Sequence, residues 1–256
     1  VYKRQEEARD KVRWGKERRS LAMSFKEKEN TAYHEAGHAI LNLLLKNTDP
    51  LHKVTIIPRG PTLGLMMSLP LEDKHTNRKN ELLDQLVVTM GGRVAEELVF
   101  GDVTNGANGD IRQATAIARR MVCEWGMSEK MGMVEYGKND EYVFLGRDLS
   151  QSRNYSEATA QEIDLEVRKL CDNAYQQAKE MISANRDKLE TIAKALLEYE
   201  TLEGSHIQEI MDTGNIQNPP SRPTPPNQPP PLKPKGNSTP SEPELPPGLS
   251  GIPASA

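Results

Sequence analysis

No stretch of this sequence approaches the roughly eighteen consecutive apolar residues that a membrane-spanning helix needs, and no charged-then-apolar leader opens it. The chain by itself is expected to stay in solution. Cysteine is scarce: Cys123 and Cys171 are the only two, both among apolar residues of expected helices. Two cysteines exclude a disulfide scaffold and suit a reducing compartment, with both thiols buried. Aromatic residues are few, with three Phe and two Trp, although the last forty residues or so dilute the average. A surplus of positive charge is also missing. The net charge is -4 with both signs interspersed, so the basic footprint that phosphate-backbone binding requires is absent and nucleic acid is not an expected partner. Nor is there a Gly-x-x-x-x-Gly-Lys-Ser/Thr loop to cradle nucleotide phosphates.

What remains is enough for one substantial domain in 256 residues. The opening Val1-Tyr2-Lys3-Arg4-Gln5 reads as a non-native scar and is set aside from the fold. Residues 6–24, rich in Arg, Lys and Glu around Val12, Trp14 and Leu21, read as a connector arriving from an upstream domain. Residues 25–215 form the expected folded domain. Residues 216–256 hold fourteen of the eighteen prolines with Ser, Asn and Gly between them, a composition that cannot bury a core and is expected to be a disordered tail.

Apolar periodicity predicts mostly helix. Ala32, Ala36, Ala39, Ile40, Leu43 and Leu44 mark a helix over 26–46, stopped before Asp49-Pro50. Two β-rich runs follow, 53–57 and 63–69, and 142–145 is a further candidate strand. A second helix is predicted over 77–99. Gly91-Gly92 interrupts it, either as a kink or as a place where another backbone comes close. A third helix runs from Asp110 to Trp125, a fourth starts at Ser156, and a fifth carries Leu189, Ile192, Leu196 and Leu197.

The sequence His34-Glu35-Ala36-Gly37-His38 lies inside the first of these stripes. An i, i+4 spacing puts both imidazoles on one helix face, where two neutral rings can grip one zinc ion. The plainer alternative is one satisfied core histidine, one surface histidine and a solvated Glu35. Against it, a core-facing helix has little reason to place two His and a Glu side by side unless something pairs with them.

Catalytic zinc generally takes three protein ligands and leaves a position for water. A third His shortly after the second is absent, since Asn42, Leu43 and Leu44 fill that stretch. Glu96, Glu97, Asp102, Asp110, His52 and His75 are the candidates. Asp110 follows a Gly- and Asn-rich loop, 104–109, that could aim a short carboxylate at a metal, but with Gln113 it equally fits a helix N-cap and capping box. Glu96 could ligate directly or hydrogen-bond a ligand His.

In order along the chain, His34-Glu35-Ala36-Gly37-His38-Ala39, then His52-Lys53-Val54-Thr55-Ile56-Ile57-Pro58-Arg59-Gly60, then Gly91-Gly92-Arg93-Val94-Ala95-Glu96-Glu97 resemble the peptidase domain of FtsH-type AAA+ metalloproteases. The resemblance continues through Asp110-Ile111, Trp125-Gly126-Met127-Ser128 and Val143-Phe144-Leu145-Gly146, and covers about residues 15–210. It departs at Gly109, where the family often has Asn, at Met133, where Pro is usual, and in the long Pro-rich tail.

The resemblance implies a mainly α, zincin-like domain with a small β-sheet or hairpin. It also implies that His34, His38 and Asp110 bind one Zn2+, that Glu35 is the catalytic base, and that Glu96 supports a ligand from behind. It further implies a homo-hexamer, an upstream ATPase supplying the ATP and Mg2+ dependence, and an N-terminal membrane anchor, neither of them in this chain. The implied location is a bacterial inner membrane with the peptidase facing the cytoplasm, or an organelle membrane as the alternative. In the expected reaction zinc acidifies a bound water, Glu35 takes its proton, and the peptide carbonyl of an unfolded polypeptide is attacked. Gly64, Leu65, Met66 and Met67 belong to the run expected to bind substrate as an edge strand, with an interior core strand as the alternative. Two other functions stay open, a zinc hydrolase of another substrate class and a metal-free scaffold that only builds a ring.

Overall fold

Ser24 starts the helix that carries the His-Glu-His segment. Its hydroxyl accepts the Glu27 N–H at 3.2 Å while the Glu27 carboxylate accepts the Ser24 N–H at 2.8 Å, so two of the donors orphaned at a helix start are satisfied reciprocally. The computed structural model describes residues 2–18, 21, 23–60, 62–70, 72–137 and 155–222. In it the helices are α1 (Tyr2–Trp14), α2 (Phe25–Leu44), α3 (Lys79–Phe100), α4 (Asn108–Cys123), α5 (Glu157–Ala184), α6 (Arg186–Tyr199) and α7 (Gly204–Thr213). Three short strands, β1 (Leu51–Thr55), β2 (Leu65–Ser68) and β3 (Thr201–Glu203), form an antiparallel sheet in the order β2-β1-β3. The domain is mainly α with a small sheet, as expected. Among the described residues no helix is long and apolar enough to cross a membrane.

Packing centres on α2. Its Ala32, Ala36, Ala39, Ile40 and Leu41 are fully buried between α3 and α6, and α3 in turn packs on α4 and α5. Core residues from every one of these helices, with Val54 and Leu202 from the sheet, form one cluster. At about 25 cal/mol per Å² of apolar surface removed from water, that burial is the main term holding the helices together.

Several expectations need correction. Helix α3 runs unbroken through Gly91 and Gly92, so the pair does not interrupt it. Close approach is the reason for them: a Cβ on Gly91 would stand 2.6 Å from the Gly37 carbonyl oxygen, and one on Gly37 would stand 2.3 Å from that of Gly91. Asp110 does not open its helix, because Ala107 is the N-cap and Asp110 lies in the first turn, which removes the capping alternative. Strand β1 ends at Thr55 rather than at Ile57: the Ile56 N–H still bonds in register to the Glu200 carbonyl at 3.0 Å, but Glu200 is the left-handed C-cap of α6, so the partner strand starts only at Thr201. β3 and α7 were not anticipated; three residues of strand are too short for a period-2 pattern to show. Cys123 is buried but Cys171 only half-buried, and both are free thiols. The candidate strand 142–145 lies outside the described residues.

The 2–18 segment is fastened to the sheet. Asp10 accepts from Lys53 on β1 at 3.2 Å, Arg9 donates to the Nε2 of His52 at 3.0 Å, and Arg59 pairs with Glu17.

Candidate metal centre

Helix α2 presents His34 and His38 one turn apart, with their rings edge to face and centroids 4.8 Å apart. Helix α3 crosses behind them closely because of its glycines. A Cβ on Gly92 would lie 2.4 Å from the Cε1 and Nε2 atoms of His34, so this glycine makes the space the imidazole occupies. The chain leaves α3 at Gly101, turns through a single 3-10 turn at Asn105–Ala107, and enters α4 with Asp110 facing the histidines.

Each ring is held by its rear nitrogen. The Nδ1 of His38 lies 2.7 Å from the carbonyl oxygen of Val88, which can only accept, so Nδ1 carries the proton and the lone pair is on Nε2. The Nδ1 of His34 donates at 2.7 Å to Glu96, a carboxylate almost wholly out of solvent. Burial pushes Glu96 up, but the bonds from His34 and Thr104 outweigh it, leaving its pKa below the usual carboxylate value. The front nitrogens then face each other at 3.1 Å, and Asp110 Oδ2 lies 3.2 Å from His34 Nε2 and 3.7 Å from His38 Nε2.

Three acceptor atoms brought this close repel one another unless a cation or a proton sits among them. In the metal-free protein the proton does so. Burial lowers the His34 pKa, yet its bonds to Asp110 and Glu96 overcome that and push it up to about 10. Asp110 is also raised by burial, and the bonds from His34 and His38 more than reverse this, holding it well below the ordinary carboxylate range. The donor set suits zinc, which takes imidazole nitrogen and carboxylate oxygen at about 2.0–2.2 Å in tetrahedral array. The three candidate ligand atoms lie within 4.8 Å of one another, and among the described residues no second such group exists.

Glu35 stands beside this cluster, buried at 6% exposure. Burial raises its pKa against the opposing pull of His34, His38 and the nearby Met66 backbone N–H. Strand β2, which contains Leu65, Met66 and Met67, therefore runs alongside Glu35, and it occupies an edge of the sheet among the described residues. Gly64, just before it, has no room for a side chain: a Cβ there would lie 2.8 Å from Glu35 Oε1.

The other third-ligand candidates do not join this group. Glu97 accepts from Tyr175 and from Lys179, the latter at 2.9 Å. Asp102 accepts the Val103 N–H at 2.8 Å, His52 accepts from Arg9, and His75 is exposed ahead of α3. Glu96 lies behind His34 rather than among the ligand atoms. Sequence reasoning missed Thr104, whose backbone N–H and hydroxyl both donate to Glu96, at 2.9 and 3.0 Å. A Thr before Asn-Gly signals a turn cap, but nothing in that local pattern points to a bond with Glu96 on the preceding helix.

Over residues 21–210 the chain matches Peptidase family M41. It is 64% identical over 217 residues to "ATP-dependent zinc metalloprotease FtsH 2" of Methylacidiphilum infernorum, covering 85% of this chain and 34% of that protein. Identity is 57% over 225 residues to "ATP-dependent zinc metalloprotease FtsH" of Akkermansia muciniphila, covering 88% of this chain and 28% of that protein. For the protein of that same name from Myxococcus xanthus it is 52% over 219 residues, with 85% and 34% covered. The chain spans about a third of the length of these curated relatives. Because the matched span contains the whole His-His-Asp cluster and the scaffold that builds it, the chain belongs to peptidase family M41 as an FtsH-type peptidase domain.

Proposed function

We propose that this chain is the proteolytic part of an ATP-dependent zinc endopeptidase that degrades unfolded or misassembled proteins, membrane proteins among them. The observation that carries this reading is the convergence of His34, His38 and Asp110 beside the buried carboxylate of Glu35. The names of its relatives, ATP-dependent zinc metalloproteases, support both the metal and the dependence on ATP. The ATPase, the membrane anchor at a bacterial inner membrane and the hexameric ring belong to the proposal through family resemblance.

His34 and His38, through Nε2, and Asp110 would hold zinc, and Glu96 and the Val88 carbonyl keep the two rings turned correctly. Bound there, zinc supplies Lewis acidity, which acidifies water and polarises a peptide carbonyl. Glu35 is the base. Its raised pKa keeps its proton affinity closer to that of the group it must deprotonate, and the proton it gains can pass to the departing amine. An extended peptide added along β2 would be brought next to Glu35 by main-chain pairing, which tolerates many side chains.

Zinc content and casein cleavage should be measured for the wild type, Glu35→Gln and Asp110→Ala. The expected result is that Glu35→Gln keeps zinc and loses cleavage by a factor of about 100 or more, and Asp110→Ala loses both. A wild-type domain that binds no zinc would make the scaffold reading the better one.

A further inference from the structure

We propose that Thr104 is a positioning residue of the metal centre, whose hydroxyl orients the Glu96 carboxylate behind His34 and ties it to the loop that delivers Asp110. The inference rests on the zinc reading above.

Glu96 is 1% exposed, so its carboxylate depends on protein donors. One oxygen, Oε1, accepts from His34 Nδ1 at 2.7 Å; the other, Oε2, accepts from both the N–H and the hydroxyl of Thr104. A glutamate has three rotatable side-chain bonds, and two donors from one residue on one oxygen leave the second oxygen a single direction.

The hydroxyl has no freedom either. Its oxygen accepts the Gly106 N–H at 3.1 Å, and that group can only donate. The hydroxyl proton must therefore point to Glu96. The result is a directed chain in which Gly106 N–H donates to Thr104, Thr104 O–H to Glu96, and His34 Nδ1–H to Glu96 from the other side. Once the ring is neutral, that chain leaves the His34 lone pair on Nε2, facing Asp110 and His38.

The same residue anchors the loop. Arg93 on α3 donates to the Thr104 carbonyl at 3.0 Å, and three residues on, the fully buried Ala107 is the N-cap of the helix carrying Asp110. Thr104 thus links the support of one proposed ligand to the delivery of another, although it touches neither the histidines nor Asp110 itself.

The test is the zinc affinity of the full chain, measured by competition with a chromophoric chelator, for T104V and T104S, each in the native and in the Glu96→Ala background. Valine keeps the shape and the backbone N–H and removes only the hydroxyl; serine keeps the hydroxyl. Melting of the metal-free proteins reports whether each variant folds. Loss of a supporting partner typically costs 10- to 100-fold in metal affinity, so T104V is expected to bind about tenfold more weakly or worse, and T104S within about threefold of wild type. In the Glu96→Ala background T104V should change affinity less than about twofold, because the residue through which it acts is gone. A full T104V loss persisting in that background would assign Thr104 to turn capping alone and overturn the proposal. So would wild-type affinity in T104V, or a T104S loss as large as that of T104V. A native protein that binds no zinc would instead bring down the metal reading itself.

Discussion

The His34 imidazole stands where a side chain on Gly92 would be: a Cβ built there comes within 2.4 Å of its Cε1 and Nε2 atoms. Gly92→Ala is therefore expected to push the ring out of register with His38 and Asp110. Overpacking of this kind costs about 1–3 kcal/mol, and zinc affinity should fall at least about tenfold, as for other disturbances of ligand orientation. Thermal melting and chelator competition measure the two effects. Gly109→Ala is the control, since a Cβ there meets nothing within 4 Å, and it should leave both unchanged.

Zinc uptake should release protons. In the metal-free protein the His34 pKa is raised to about 10, so at pH 8 the ring holds a proton that the metal must displace. By linkage, the raised pKa stabilises the metal-free fold fully below the unfolded value of about 6.5, and this stabilisation is lost as pH rises through about 10. Affinity should accordingly climb by roughly tenfold per pH unit between 7 and 9 and level off above 10. Flat affinity over that interval would contradict a protonated His34.

Met66→Pro removes a backbone N–H beside Glu35 and blocks the ladder of an edge strand. Its expected signature is zinc retained with casein cleavage lost by about 100-fold or more, the size of a lost general base, whereas Met66→Ala keeps the N–H and the activity. Wild-type cleavage by the proline variant would rule out substrate pairing along β2.

Asp10→Ala should loosen α1 and spare the metal centre. The Asp10 side chain is 2% exposed and pairs with Lys53, itself 19% exposed, and removing one member of a buried pair costs about 3–5 kcal/mol. A lower melting temperature, earlier proteolytic cutting within α1 and unchanged zinc content are expected. Identical proteolysis of the two proteins would show that this pair does not fasten the segment.

Much of the fold could be read from local pattern. α2 and α3 have their buried residues three and four apart over many turns, and Ser24 with Glu27 or Ser156 marks a start that depends on neighbours in sequence alone. β3 could not be read this way, since its three residues are strand only because β1 lies beside them. The helix start near Asp110 was misplaced by two residues for a related reason. Asn108-Gly109 has turn chemistry, and the tertiary anchor at Ala107 pulls both into the helix.

By itself the sequence determined the helical frame and the pairing of His34 with His38, because a period of 3.6 residues places i and i+4 on one face whatever surrounds them. It also determined that a third ligand had to come from outside the pentapeptide. For that place the resemblance pointed to Asp110 while spacing alone left several carboxylates and histidines open, and only the tertiary structure brings Asp110 up to both imidazoles. Asp110 is 72 residues beyond His38 in numbering, and its position depends on α3 lying against α2 through Gly37, Gly91 and Gly92 and on the loop held by Thr104. Glu97 and Asp102 are equally acidic and nearer in sequence, but a carboxylate becomes a ligand through where the packed backbone aims it, and no local pattern encodes that direction.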